Sequence, residues 1–190
     1  MGAERKSMVM DDNEKKLTAY HEAGHTVVSL MTAGSDPIHK VTIVPRGRAL
    51  GLMMSLPDKD RYGQTKEWLI GRLAICFGGR VAEELVFGPE KITTGAGSDI
   101  QQATDTARRM VTMFGMSERV GMMAVGDQEH EIFLGREMSQ RRAVSERTAE
   151  IVDDEVKRFL DEAFDKARKI LVDNRDLLDR GTLYVARFDA

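Results

Sequence analysis

Most of the chain carries apolar residues at the three- and four-residue spacing of an amphipathic helix. This spacing predicts four helices, and glycine or proline follows the first two, as is usual at helix ends. Asp12 or Asn13 is the expected cap of the first helix, and Ser98 and Gln101 form a predicted capping box for the third. The predicted helices cover residues 11–33, 65–87, 98–115 and 145–174.

Two short segments alternate between apolar and polar residues as β-strands do. Residues 41–44 and 51–56 are separated by a Pro-Arg-Gly-Arg loop at residues 45–48, so we expect a small hairpin. Gly78 and Gly79 in the middle of the second helix indicate either a break or the close approach of another helix. The predicted fold class is therefore mainly α-helical with a small β-hairpin.

The third and fourth helices have apolar faces that are expected to form much of the core. The stripe on the fourth helix is long for a small domain, which suggests a further contact with a neighbouring subunit. Residues 121–131 have the composition of a loop with one short strand. The predicted inner positions are Ile100, Ala103, Ala107, Met110, Val111 and Phe114 in the third helix, and Ala149, Val152, Val156, Leu160, Ala163, Ala167 and Leu171 in the fourth.

Composition narrows the class of protein. The 190 residues include 42% hydrophobic and 31% charged residues, which is typical of one soluble globular domain. A net charge of −3 without a basic stripe argues against nucleic-acid binding. Cys76 is the single cysteine, so we expect a reducing compartment and interpret Cys76 as a buried structural thiol. No apolar run reaches the roughly 18 residues that span a bilayer, and no signal peptide is recognised, so no membrane contact is expected.

The segment His-Glu-Ala-Gly-His at residues 21–25 carries the clearest chemistry. On a helix, His21 and His25 lie one turn apart on the same face, and both imidazoles can reach one Zn²⁺ at about 2.0–2.1 Å. Glu22 lies beside them and can take the proton of an attacking water. This H-E-x-x-H pattern predicts a zincin-like helix that serves metal-assisted hydrolysis.

Catalytic zinc needs a third protein ligand, which the spacing does not identify. Val28 and Met31 stand where the longer motif H-E-x-x-H-x-x-G-x-x-H requires glycine and histidine. The next glutamate, Glu67, is too distant for a ligand roughly twenty residues downstream. His39 and His130 are interpreted as surface residues. A remote carboxylate is therefore expected, and the candidates include Asp36, Glu83, Glu84, Asp99 and several others.

Four blocks of sequence, taken together, are specific enough to indicate a protein family. They are residues 15–25 (KKLTAYHEAGH), 39–47 (HKVTIVPRG), 78–84 (GGRVAEE) and 93–100 (TTGAGSDI). In this order, and with no block missing, they resemble the protease domain of the FtsH family, the membrane-anchored, ATP-dependent AAA+ zinc proteases of bacteria, mitochondria and chloroplasts. The resemblance extends over residues 4–178.

The resemblance implies a zinc-dependent endopeptidase that hydrolyses unfolded or misfolded polypeptides. It implies that Asp99, in the last block, is the third zinc ligand beside His21 and His25, with Glu22 as the base. Glu83 is then a group that orients a zinc-bound imidazole. An extended substrate could pair with the second predicted strand by strand addition, for which the candidates are Gly51, Leu52, Met53 and Met54.

The resemblance also implies a division of the chain. Residues 1–10 correspond to the end of the AAA+ ATPase module and residues 11–178 to the zinc protease domain. Residues 179–190 read as an atypical C-terminal tail, because their sequence does not fit the helical continuation usual in the family. The sequence has no G-x-x-x-x-G-K-[ST] loop, so ATP is expected to bind only elsewhere in the full-length protein.

The full-length protein is expected, by the same resemblance, to form a homo-oligomer, a hexameric ring that acts on unfolded or membrane protein substrates. Its expected place is the cytoplasmic face of the bacterial inner membrane, or an organellar membrane, while the present chain is expected to be soluble.

Two other functions fit parts of the pattern. A helical oligomerisation module with a structural or inactive zinc site would not require Glu22. A small metallopeptidase that acts on free peptides without a motor would use the same site.

Overall fold

A computed structural model of the chain describes residues 10–45, 50–57, 63–126 and 144–188. In chain order the elements are α1 (Asp12–Met31), β1 (Ile38–Thr42), β2 (Leu52–Ser55), α2 (Lys66–Phe87), α3 (Gly97–Thr112), α4 (Glu146–Asp173) and α5 (Arg175–Phe188). Two short 3₁₀ turns, Pro89–Lys91 and Thr94–Ala96, join α2 to α3. The predicted class, mainly helical with a small hairpin, is confirmed.

The N-cap of the first helix is Asp11. The Asp11 side chain accepts a hydrogen bond from the Glu14 backbone at 2.8 Å, and the Glu14 carboxylate accepts one from the Asp11 backbone at 3.2 Å. This reciprocal capping box makes Asp11 the cap, which corrects the expectation of Asp12 or Asn13. The box satisfies backbone donors in the first turn of the helix that carries the histidines.

The hairpin is present, with its first strand shifted towards the N-terminus. β1 pairs antiparallel with β2, and Val41 lies opposite Met53. The expected start of the first strand at residue 41 is corrected to Ile38, and the register is irregular between Ile38 and Lys40. Most of the predicted loop between the strands lies outside the described residues.

The α1 and α2 backbones touch at a pair of glycines. A Cβ atom added to Gly24 would lie 2.3 Å from the Gly78 carbonyl oxygen, and one added to Gly78 would lie 2.7 Å from the Gly24 carbonyl oxygen. Only glycine fits at both positions. The Gly78-Gly79 pair therefore marks a close helix–helix approach, and α2 continues through it without a break.

The third helix is only partly as predicted. Ala103, Ala107 and Met110 are buried, as is Val111. Ile100 and Phe114 instead keep 40% and 39% of their surface exposed, which corrects their assignment to the inner face. The predicted Ser98–Gln101 capping box is also wrong. The helix begins at Gly97 directly after a 3₁₀ turn, with Ala96 at the cap position and no side-chain cap.

The fourth helix runs from its cap at Ser145 to Asp173, within one residue of the expected bounds. Of the predicted positions, Ala149 is exposed and Leu160 is half-buried. Phe159 and Glu155, which were not expected, are buried on this face. Glu155 accepts hydrogen bonds from Ser117 at 2.7 Å and from Arg158 at 3.0 Å. The remaining predicted positions, all buried, are Val152, Val156, Ala163, Ala167 and Leu171.

The residues after Leu178 continue as helix α5, which corrects the expectation of a non-helical tail. Leu178 and Thr182 are buried, and Val185 joins a small cluster with Ala19 and Ile43. α5 packs mainly against α1, the helix that carries both histidines. Tertiary packing thus outweighs the poor helix propensity of Gly181.

Two remaining expectations fall partly outside the described residues. Residues 121–126 form no strand, and residues 127–131 are not described. Of residues 1–10, only Met10 is described, and it is buried. No helix among the described ranges combines the length and the apolar character needed to cross a bilayer.

Candidate metal centre

The α1 helix places two imidazoles side by side. His21 and His25 are separated by one helical turn, and their Nε2 atoms lie 3.0 Å apart. Both side chains are buried, and their rings meet edge to face with centroids 4.7 Å apart. The H-E-x-x-H motif therefore lies on a helix, as the periodicity of the sequence predicts.

The third member of the cluster comes from the first turn of α3. Asp99 Oδ2 lies 3.5 Å from His21 Nε2 and 3.7 Å from His25 Nε2. One ligand atom from each residue lies within 4.8 Å of the other two. A tetrahedral zinc with bonds of about 2.0–2.1 Å separates its ligand atoms by about 3.3 Å. The two nitrogens and one oxygen are thus positioned to bind one such ion.

The other candidate ligands lie elsewhere. Glu83 contacts the opposite side of the His21 ring, at Nδ1. Glu84 pairs with Arg168 on α4. Asp36 follows α1 and does not belong to the cluster, which is the only such group in the described part of the chain. His39 is exposed on β1, and His130 lies outside the described residues.

Both imidazoles are held at their Nδ1 atoms. His21 Nδ1 lies 2.7 Å from Glu83 Oε1, and His25 Nδ1 lies 2.7 Å from the Ile75 carbonyl oxygen. Both acceptors lie on α2, so each ring donates its Nδ1 proton and turns Nε2 towards Asp99. Gly79 allows this arrangement, because a Cβ atom there would lie 2.5 Å from His21 Nε2.

The protonation of the two histidines differs. Burial and the neighbouring His21 lower the pKa of His25 to about 4. Burial acts to lower the pKa of His21 too, but hydrogen bonds to Asp99 and Glu83 outweigh it and raise this pKa to about 9. Without a metal, the pair therefore carries one positive charge at neutral pH, because His21 is protonated at both nitrogens and His25 is neutral. A metal ion would take the place of the proton on His21 Nε2.

The carboxyl group of Glu22 lies next to Gly51 and Met53 of the hairpin region. Burial raises the pKa of its carboxyl group to about 7, although His21 and the backbone N–H of Met53 favour the charged form. A Cβ atom on Gly51 would lie 2.6 Å from Glu22 Oε1, so the glycine provides the space that this carboxylate occupies. The carboxyl group is thus held between the histidine helix and the hairpin.

The cluster opens into a cleft of about 860 Å³. One wall is the hairpin, where Gly51, Leu52 and Met53 line the cleft and Met54 does not. Arg72 and Cys76 of α2 also line the cleft. Burial raises the pKa of the Cys76 thiol to about 11. The thiol is therefore protonated at neutral pH. Cys76 is nevertheless only half-buried and lines the cleft, which corrects the expectation of a buried structural thiol.

Three contributors to the site were not identified from the sequence. The Ile75 carbonyl group cannot be recognised from residue type. Thr93, whose backbone N–H donates a hydrogen bond to Glu83, looks like an ordinary loop threonine. Gly79 did carry a signal, since the glycine pair of α2 predicts a close approach, although not that the approaching group is an imidazole.

Comparison with known proteins agrees with this geometry. The sequence model of peptidase family M41 matches residues 8–183. A protein of Caulobacter vibrioides called ATP-dependent zinc metalloprotease FtsH is 55% identical over 176 residues, which are 93% of this chain and 28% of that protein. ATP-dependent zinc metalloprotease FtsH 4 of Sorangium cellulosum is 54% identical over 95% of this chain and 28% of its own length. The chain thus spans less than a third of the length of these curated relatives.

Proposed function

The chain belongs to peptidase family M41, and on this premise we propose that it is the catalytic domain of a zinc-dependent endopeptidase. In this proposal His21, His25 and Asp99 hold Zn²⁺, and Glu22 acts as the general base. The observation that carries it is the convergence of the two Nε2 atoms and Asp99 Oδ2 in a cleft whose wall holds a buried carboxyl group.

When bound, Zn²⁺ would supply a Lewis acid that polarises the scissile carbonyl and lowers the pKa of water towards about 7. The protein would orient the two histidine rings that bind the metal. Glu83 and the Ile75 carbonyl group accept the Nδ1 protons of the two histidines, which leaves a lone pair on each Nε2 for the metal.

Glu22 is suited to move a proton during hydrolysis. It is not one of the three metal-facing groups, and it lies where it interacts electrostatically with both His21 and Asp99. We infer that its carboxylate takes a proton from the attacking water and returns it to the leaving amine. Burial favours the protonated form of Glu22, so the side chain can hold this proton between the two steps.

The cleft suits an extended polypeptide. Gly51 and the β2 residues Leu52 and Met53 line it, and β2 pairs only with β1 among the described residues, so a substrate in extended form could pair with residues 51–54 by strand addition. Recognition through the backbone would make the enzyme tolerant of sequence. Unfolded and misfolded polypeptides are therefore the substrates we propose.

The complete protein would be larger than this chain. Since relatives called ATP-dependent FtsH proteases are over three times as long as the matched region, we infer that this chain is the proteolytic part of an ATP-dependent quality-control protease. By its resemblance to that family, the complete protein would be a membrane-anchored hexamer. Its place would be the cytoplasmic face of a bacterial inner membrane or an organellar membrane.

The test compares the parent chain with Glu22→Gln and Asp99→Ala in zinc content and in cleavage of an unfolded casein-type substrate. We expect Glu22→Gln to retain zinc and lose cleavage, because it removes the base and no ligand. Asp99→Ala should lose both, and a chelator should inactivate the parent.

Other outcomes would contradict the proposal. Substantial cleavage by Glu22→Gln would refute the role of Glu22 as the general base. A parent that binds zinc but cleaves nothing would favour a helical module with a structural zinc. A parent that cleaves only short free peptides would favour a small metallopeptidase.

A further inference from the structure

Thr93 occupies the junction between α2 and α3. Its backbone N–H donates a hydrogen bond to Glu83 Oε2 at 2.7 Å. Its hydroxyl group lies 3.2 Å from Glu83 Oε1 and 3.1 Å from Glu83 Oε2. One half-buried threonine thus contacts both oxygens of a carboxylate that also contacts a histidine of the metal centre.

Glu83 depends on these contacts because it is fully buried, with 0% of its surface exposed. A buried carboxylate is tolerated only when hydrogen bonds satisfy its oxygens. His21 Nδ1 lies 2.7 Å from one of its oxygens, and the Thr93 backbone N–H donates to the other, so both oxygens have a partner. Thr93 thus contacts the carboxylate that in turn contacts the His21 ring.

Thr93 is also linked to the segment that carries Asp99. Its hydroxyl oxygen accepts a hydrogen bond from the Gly95 backbone at 3.2 Å and so caps the 3₁₀ turn Thr94–Ala96. That turn leads directly into α3, whose first turn contains Asp99. On the other side, the Arg80 guanidinium donates to the Thr93 carbonyl oxygen at 2.7 Å and holds the junction against α2.

We propose that Thr93 is a positioning residue of the zinc centre, which joins the support of His21 to the segment that presents Asp99. It does not touch the metal, and it acts through Glu83 and through the capped turn. The inference rests on the proposed zinc binding by His21, His25 and Asp99. It does not depend on whether the bound zinc serves peptide hydrolysis.

The test measures zinc affinity by competition with a chelator for the full chain and its variants. Thr93→Val keeps the shape and the backbone N–H but removes the hydroxyl group. We expect it to bind zinc about tenfold more weakly, because the carboxylate that supports a zinc-facing histidine loses a hydrogen bond. Thr93→Ser restores the hydroxyl group and should restore the affinity. Thr112→Val is the matched control, since its hydroxyl group donates only to the Arg108 carbonyl oxygen within α3, at the end of that helix remote from Asp99, and it should bind zinc as the parent does.

A double variant separates positioning from general damage. Glu83→Ala should weaken zinc binding by about 10- to 100-fold. If Thr93 acts largely through Glu83, Thr93→Val in the Glu83→Ala background should weaken it much less than in the parent. Equal effects in both backgrounds, a parental affinity in Thr93→Val, or a failure of Thr93→Ser to restore affinity would overturn the inference.

The measurements distinguish the positioning role of Thr93 from the proposed endopeptidase activity. Zinc affinities that follow the expected order in a chain without peptidase activity would support the positioning role and refute the endopeptidase. Normal cleavage and unchanged zinc affinity in Thr93→Val would refute the positioning role alone. A parent chain that binds no zinc would overturn both.

Discussion

Single residues in the centre are distinguished by the space around them as much as by their functional groups. Gly51 and Gly79 carry no chemistry, yet any side chain at Gly51 would contact Glu22 and any at Gly79 would contact His21. The two glycines therefore control different parts of the site. Gly79 makes room for a metal-facing imidazole, whereas Gly51 makes room for the carboxyl group that we propose as the base.

Replacing Gly51 by alanine should separate catalysis from metal binding. The new Cβ atom would lie 2.6 Å from Glu22 Oε1, so the carboxyl group must move, while the three metal-facing groups are not displaced. We expect roughly a hundredfold lower kcat/KM, as small displacements of catalytic groups cause, at parental zinc content. The control is Gly63→Ala, where a Cβ atom meets nothing within 4 Å. Parental activity in Gly51→Ala would contradict the catalytic role of this carboxyl position.

The Cys76 thiol should be unreactive in the folded chain. Burial raises its pKa to about 11, so at pH 8 its thiolate fraction is roughly two hundredfold below that of a free cysteine with a pKa near 8.5. Because only the thiolate reacts, alkylation by iodoacetamide should be slow and should accelerate as the pH rises towards 11. The rate in denaturant serves as the control. Equal rates in the folded and the denatured chain would refute this prediction.

The sequence predicts the residues whose relation is local. His21, Glu22 and His25 are within one helical turn, so their geometry follows from helix periodicity alone. Asp99 is remote, and spacing left it among several carboxylates until the family resemblance singled it out. Thr93 and the Ile75 carbonyl group could not be predicted, because their contacts arise only when α1, α2 and the following turns pack together.

The helices and strands show the same division between local and tertiary causes. The bounds of α2 and α4 agree with the periodic pattern within one residue. The predictions are wrong where tertiary packing determines the helix bounds or the buried face. α3 begins one residue before the predicted cap because a 3₁₀ turn leads into it. The α4 face includes Glu155, whose charge is satisfied by Ser117 and Arg158 rather than by water.

The helix α5 tests the conclusion that tertiary packing, rather than local propensity, decides some of the helices. Leu178 is fully buried although its helix contains a glycine, so Leu178→Ala should lower the free energy of unfolding by about 2–5 kcal/mol. Leu183, on the same helix, keeps 70% of its surface exposed, and Leu183→Ala should change stability by less than about 0.5 kcal/mol. Denaturant unfolding of the two variants checks both values. Equal small effects would show that α5 does not belong to the core.

On the scale of the whole molecule, the metal-facing residues line a cleft of about 860 Å³. The sequence contains no phosphate-binding loop that could couple nucleotide hydrolysis to motion. Residues of β2 line the cleft, which therefore suits a chain that is already extended. A native domain exposes such a chain only through opening events that cost up to its whole unfolding free energy, roughly 5–15 kcal/mol. Access of substrate, rather than the chemistry of the site, should therefore limit what this chain degrades.

This chain should accordingly cleave unfolded polypeptide and leave a stable folded protein intact, whether or not ATP is added. The decisive comparison uses one substrate domain in two forms, a stable parent and a destabilised mutant, because both present the same peptide bonds. The mutant should be degraded at a rate that rises with its unfolded fraction, and ATP should change neither rate, since the sequence contains no G-x-x-x-x-G-K-[ST] loop. Glu22→Gln serves as the inactive control in every arm. ATP-stimulated degradation of the stable parent by this chain alone would show that these residues include a source of pulling force.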